Sequence, residues 1–111
     1  MADTLLYSFH PVADEQQTNI WIYTYQHWGE QQADKYIDEL HEKLSQVALN
    51  FSLVKDLPDS INKEIKYIHY GRHYIFLKKA AANLSEKLQV LAILHDSMDI
   101  PFHLHKILDQ F

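Results

Sequence analysis

The chain has no cysteine, two glycines, three prolines and a single arginine, Arg72, in 111 residues. Without cysteine there is no disulfide framework and no thiolate zinc site. So few glycines and prolines leave a chain that is 47% hydrophobic with little to interrupt regular structure, the composition of a folded domain. No apolar run approaches the roughly 18 residues that a membrane span needs. The opening Met1-Ala2-Asp3-Thr4 lacks a basic segment followed by an apolar one, so it does not read as a signal peptide. These absences predict a cytoplasmic protein with no membrane partner.

Positive charge is also scarce. Ten Lys and Arg face 15 Asp and Glu, a formal charge of −5. A protein that grips nucleic acid through its phosphates needs a basic face, and the overall field here opposes one. No direct nucleic-acid partner is expected. The eight histidines add positive charge below neutral pH; most are read as surface or packing residues. The length is that of one domain, 1–111, which hides about two-thirds of its unfolded surface without staples.

Leu5–Phe9 alternates as a short strand does. Pro11 suits the first turn of a helix, and Asp14 and Glu15 suit the positive end of its dipole. Ala13, Ile20, Trp21, Thr24 and Trp28 share one face, so this helix should run to about His27. Gly29 permits a sharp reversal. A second helix follows over about Glu30–Asn50. Ala33, Tyr36, Ile37, Leu40, Leu44, Val47, Ala48 and Phe51 recur at three- and four-residue steps on it, opposite a charged face. Asn50–Asn62, with Pro58, Asp59 and Ser60, reads as a loop.

Ile65–Tyr70 and His73–Lys79 read as strands joined by Gly71-Arg72, a two-residue connection with glycine first, which is the type II′ signature. Ala80–Glu86 is a further connection. Leu88–Leu94 is a nearly continuous apolar run, suited to a strand buried on both faces. Pro101 ends that element, and Phe102–Phe111 is a candidate short helix. The order is strand, helix, helix, three strands. It predicts an α+β fold in which a helical hairpin covers one face of a four-stranded, mainly antiparallel sheet (βααβββ). The first strand would pair beside the last, in the centre of that sheet.

Three motifs in this order carry a resemblance over about residues 5–104. They are Tyr23 to Gly29 followed by Gln32, Ala33, Tyr36 and Leu40; Gly71, Arg72, Ile75 and Phe76; and Leu94, His95, Met98 and Asp99. Together they resemble the ParE branch of the RelE/ParE toxin superfamily, the toxin halves of type II toxin–antitoxin pairs. The resemblance implies a toxin that inhibits DNA gyrase by protein–protein binding and is neutralised by a ParD-like antitoxin wrapped around it. It implies no cofactor and no catalytic residue. Target-binding candidates are Lys66, Arg72, Lys78, His95, Met98 and Asp99. Antitoxin-binding candidates are Tyr25, Tyr36, Leu40 and Leu44. Lysine stands at 66 and 78 where relatives often carry arginine, and Ser97 occupies an often-basic position; lysine keeps the charge but loses the bidentate fork. A decayed, non-toxic member is therefore one alternative.

The other alternative is a RelE-like ribosome-dependent messenger RNA nuclease. In-line cleavage of RNA needs a base, an acid and cations for the phosphate. Lys66, Arg72, His73, Tyr74 and His95 are the candidates, and one arginine leaves little to hold a ribosome. His95, Asp96, Asp99, His103 and His105 lie close in sequence, but Pro101 breaks any strand spacing, and they read as scattered surface residues and not as a metal site. Trp28 is expected in the core between hairpin and sheet, with Tyr25 either there or on a binding surface. The chain is acidic, as many antitoxins are, so net charge does not drive their pairing. Apolar anchors along a groove beside hairpin and sheet are expected to do so.

Overall fold

The structure, a computed structural model, describes residues 6–57, 64–80 and 86–108. The elements are β1 (Tyr7–Phe9), α1 (Pro11–Trp28), α2 (Glu30–Leu49), one 3-10 turn (Phe51–Leu53), β2 (Lys55–Asp56), β3 (Lys66–Tyr70), β4 (His73–Lys79), β5 (Leu88–His95) and α3 (Ile100–Leu108). The sheet order is β1-β5-β4-β3-β2. Only the β1–β5 pair is parallel, Tyr7 opposite Leu88; the other three pairs are antiparallel. The α+β hairpin-on-sheet architecture is as the sequence predicts.

Four details differ. The sheet has five strands, because β2 forms inside the expected 50–62 loop. It has only two register pairs, Lys55 with Tyr67 and Asp56 with Lys66, too few for alternation to announce it. The first strand pairs beside the last, as expected, but it is an edge and β5 is the interior strand. The C-terminal helix begins at Ile100, with Pro101 in its first turn where a missing N–H is harmless. Trp28 is not in the core and is 72% exposed. Leu5, Pro58–Asn62, the middle of the 80–86 connection and residues 109–111 lie outside the described residues.

Local chemistry explains the helices. His10 caps α1, its Nδ1 accepting the Val12 N–H at 3.2 Å. Gly29 alone forms the joint. At φ +92° it donates its N–H to the Tyr25 carbonyl (2.9 Å) and accepts that of Ala33 (3.1 Å). Glycine reaches this positive φ without the penalty a Cβ imposes. The apolar stripe of α2 is buried as its spacing predicts, at Ala33, Leu40, Leu44 and Val47.

The core lies on both faces of the sheet. Leu40, Leu44 and Val47 of α2 and Ala13 of α1 pack over Ile68, Ile75, Leu77, Leu88, Val90 and Ile93. The opposite face carries Phe76, Leu91, Ala92 and Leu94, with Leu104 of α3 and Ile65. A register shift in the β4–β5 pair, with Phe76 opposite Ala92 but Leu77 opposite Val90, leaves Leu91 as the extra residue. Leu91 and Ala92 consequently both join the α3 side. Val90–Leu94 is thus apolar throughout because both faces are covered and the alternation is broken once. Beside the bulge, Ile93 donates its N–H to Gln16 Oε1 of α1 at 2.6 Å. His41 links three elements: its Nδ1 meets the Tyr7 hydroxyl at 2.7 Å and its Nε2 meets Gln17 Oε1 at 2.8 Å.

The β3–β4 turn is held from above. Gly71 has φ +57°, and no non-glycine residue has positive φ among the described residues, the pattern of a type II′ turn. A Cβ on Gly71 would lie 2.6 Å from the Tyr36 hydroxyl oxygen of α2. A Gly71→Ala variant therefore suffers both a disfavoured backbone and displacement of Tyr36. We expect a loss of about 2–4 kcal/mol, seen as a lower urea midpoint at unchanged slope; a loss under about 0.5 kcal/mol would contradict this packing.

Candidate functional site

The β3–β4 turn and the end of β5 share one corner, because Tyr70 pairs with His73 and His73 with His95. The Asp96 N–H then bonds the Arg72 carbonyl at 2.8 Å, fixing the segment after β5 against the turn. The corner gathers Tyr36, His69, Arg72, His73, His95, Asp96 and Ser97. Asp96 is its charged centre, with His69 Nε2 at 3.7 Å and Arg72 Nε at 3.8 Å from its carboxylate. The Arg72 side chain is 73% exposed. So exposed and distant a pair is weak, and Arg72 is free to turn toward a partner.

Hydrogen bonds settle how the imidazoles are used. His73 Nδ1 lies 2.7 Å from the Tyr36 hydroxyl, which also bonds the Tyr70 carbonyl at 3.2 Å. Each group is satisfied when His73 gives its Nδ1 proton to Tyr36 and Tyr36 gives its own to the carbonyl. His95 Nδ1 accepts the Ser97 N–H at 3.1 Å, with Ser97 Oγ at 2.7 Å. Its 3.6 Å approach to Asp96 is therefore proximity and not an ion pair. Burial, with help from His95, pushes the His73 imidazole down to about 4, despite the opposing pull of Asp96. Burial raises the Tyr36 phenol. Both groups are held neutral and locked in the hairpin-to-helix contact, a positioning role and not an acid–base one.

Not every expected target contact is here. Arg72, His95, Met98 and Asp99 lie at this corner or just past it. Lys66 and Lys78 lie at the far end of β3 and β4, about 15 Å back along the strands. They also lie on opposite faces, since Lys66 pairs with Leu77 of the hairpin-side core while Lys78 follows it. Lys66 is held by Asp56 at 2.7 Å. Of the expected antitoxin contacts, Leu40 and Leu44 are 1% and 0% exposed. They build the hairpin-side core and leave no exposed surface for the antitoxin contact expected of them. Tyr36 is half-buried and committed to the turn. Tyr25 is exposed.

Sequence reasoning missed the groove beside this corner. It encloses about 450 Å³ between the α3 side of the sheet and the start of α3, lined by Leu57, Tyr67, Tyr74, Phe76, Met98, Ile100, Pro101 and Leu104, with Asp96 and Asp99. The alternation of Tyr67 with Ile68 and of Tyr74 with Ile75 held the signal, since it puts the aromatics opposite the hairpin. Also missed were the centrality of Asp96 and the exposure of Ile22 and Tyr23 on α1. Among the described residues, no three His, Asp or Glu side chains converge to hold a metal ion. The side chain of His105 lies outside the described residues.

The depressed His73 basicity has a consequence for stability. Unfolded, this imidazole titrates near 6.5; folded, near 4. Between these values the unfolded chain binds a proton that the folded chain refuses. The contribution is therefore whole above about pH 6.5 and is lost as pH falls toward 4. His41, also lowered by burial, acts in the same direction. A His73→Gln variant should show a flatter fall in urea midpoint between pH 7 and 4.5 than the parent. Equal slopes would contradict the burial of His73.

A family model described as the ParE toxin of type II toxin–antitoxin system, parDE, matches residues 7–100. Two relatives, both Toxin ParE1 of Mycobacterium tuberculosis, from strain CDC 1551 / Oshkosh and strain ATCC 25618 / H37Rv, are each 28% identical over 94 residues. Those residues cover 85% of this chain and 92% of the relatives. A solved structure described as a chromosomal ParDE TA system from P. aeruginosa shares the fold with a TM-score of 0.63 at 11% identity, over 82% of this chain and 95% of that one. The hairpin-on-sheet architecture and a family match that spans most of its length agree: this chain belongs to the ParE toxin family of type II toxin–antitoxin systems.

Proposed function

We propose that the chain, as a single toxin domain over 1–111, inhibits DNA gyrase by protein–protein binding in the cytoplasm and is neutralised by a cognate ParD-like antitoxin. The observation that carries this reading is the dispersal of its cations. Arg72 stands over the Asp96 carboxylate, whereas Lys66 and Lys78 lie at the other end of the strands on opposite faces. Cleavage of RNA needs positive charge gathered around one phosphate, with a base free to take a proton. Here His73 is neutral and occupied by Tyr36. What the corner offers is an exposed arginine beside exposed Met98 and an aromatic groove, the residue types that anchor protein interfaces.

Arg72, His95, Met98 and Asp99 are assigned to the gyrase contact. Lys66 and Lys78, being distant from that corner, are outside it. The antitoxin is assigned to the apolar groove, where a segment that folds on binding covers Tyr67, Tyr74 and Met98, and Tyr25 is assigned as a further contact on the outer hairpin face. No helix among the described residues is long and apolar enough to cross a membrane.

The test is a supercoiling assay with purified gyrase, beside a cell-free translation assay. Supercoiling should fall with added protein while translation continues, and Arg72→Ala should raise the inhibitory concentration by about 5–30-fold. Undiminished supercoiling at large excess, or codon-linked cuts in translated messages, would overturn the reading.

A further inference from the structure

Two turns of this chain are built alike. At 50–52 the Asn50 side-chain oxygen accepts the Ser52 N–H at 3.3 Å and the Ser52 hydroxyl at 2.6 Å. At 95–97 the same two groups of Ser97 meet His95 Nδ1, the N–H at 3.1 Å and Oγ at 2.7 Å. Both are local turns closed by a polar side chain. The acceptors differ in chemistry. An amide oxygen closes a turn and does no more; an imidazole nitrogen closes it and can also take a proton.

The backbone decides which ring nitrogen carries the proton. With the Ser97 N–H aimed at Nδ1, that atom presents its lone pair, and the proton of the neutral ring sits on Nε2. Ser97 Oγ is then the donor in the 2.7 Å bond. Ser97 is exposed and the His95 side chain is 39% exposed, so a reagent can reach both. A hydroxyl that gives its hydrogen bond to a neutral imidazole is the nucleophile–base pair of acyl transfer. A third group completes it. Asp96 Oδ1 lies 3.6 Å from Nδ1. It is no partner of the neutral ring, but it stabilises the imidazolium formed when Nδ1 takes the serine proton.

We propose that Ser97 is an acyl-acceptor site, modified by a short, uncharged acyl group from a thioester or a comparably activated ester. Ser97 Oγ attacks the carbonyl carbon while its proton passes to His95 Nδ1. The bond from that carbon to sulfur, or to the ester oxygen, breaks. The proton then leaves with the departing thiolate or alkoxide, and the chain keeps an O-acyl serine. Asp96 and Met98, on either side of Ser97, line the aromatic groove together with Asp99. That groove gives the acyl chain an apolar neighbour, and its carboxylates repel an anionic one. The Met98 N–H is bonded to the His95 carbonyl at 3.0 Å, so it is not presented to an oxyanion. The site accepts one acyl group and is not an esterase. The proposal holds whether or not gyrase is the target, since it concerns the reactivity of one hydroxyl.

The probe is p-nitrophenyl acetate, added to the full-length chain, with tryptic peptides read by mass spectrometry against time. Peptide 88–106 holds Ser97 as its only serine and no lysine before its cleavage site; peptide 44–55 holds Ser52. Fragmentation places the acetyl group, and hydroxylamine should remove it as an ester. Ser97 should be acetylated about a hundredfold faster than Ser52, the contribution of a positioned general base. His95→Asn puts at position 95 the acceptor found at 50, so it keeps the turn and removes the base. It should bring Ser97 down to the Ser52 rate. Equal rates at Ser97 and Ser52 in the parent, no acetyl group on Ser97, or undiminished acetylation of Ser97 in His95→Asn with a parent-like amide spectrum would each overturn the proposal. If His95→Asn does not fold, the ratio of Ser97 to Ser52 in the parent still decides.

Discussion

Tyr36 holds in place the corner between the β3–β4 turn and the end of β5. Its ring occupies the space that a side chain at position 71 would need, and its hydroxyl joins His73 to the Tyr70 carbonyl. Through that contact the helical hairpin, which owes nothing in sequence to the β3–β4 turn, fixes where Arg72 stands. The bond between the Asp96 N–H and the Arg72 carbonyl then ties the end of β5 to the same corner. A surface made of a turn and a strand end would be loose by itself. Here it is stiffened from the helix side by Tyr36.

The same contact occupies the Nδ1 of His73, and burial holds that imidazole neutral. A half-buried imidazole giving its Nδ1 proton to a phenol is neutral at physiological pH, and the His95 ring stands edge-on to it with centres 5.2 Å apart. The family fold, the dispersal of Lys66, Arg72 and Lys78, and this locked pair all favour recognition over cleavage. The two open surfaces have different characters. The groove under α3 is aromatic and lies by the corner; the outer face of the hairpin exposes Tyr23, Tyr25 and Trp28 and carries the acidic excess. A sheet covered on both faces leaves two separate outer surfaces.

Much of this was legible in the residues. The α2 stripe, the glycine joint at 29, the Gly71-Arg72 turn and the doubly buried β5 each have a local signal that tertiary structure did not override. β2 did not, because two residue pairs and an ion pair between Asp56 and Lys66 leave no period to detect. Trp28 misled because helical spacing shows which residues share a face but not where the sheet beneath the helix stops. The site was less legible than the fold. Leu40 and Leu44 sit on an apolar helical stripe whose spacing alone does not tell partner contacts from core, and only packing separates the two. The roles of Asp96 and Tyr36 depend on contacts across 24 and more positions of sequence, which no local pattern encodes.

The central claim is that the corner formed by the β3–β4 turn and the end of β5 is where this toxin meets its target. Hydrogen–deuterium exchange of the chain with and without purified DNA gyrase tests it most directly. The account predicts added protection at residues 69–73 and 95–99 in the complex, with the outer face of α1 unchanged. Protection confined to the helical hairpin, or no protection at concentrations that saturate gyrase, would contradict it.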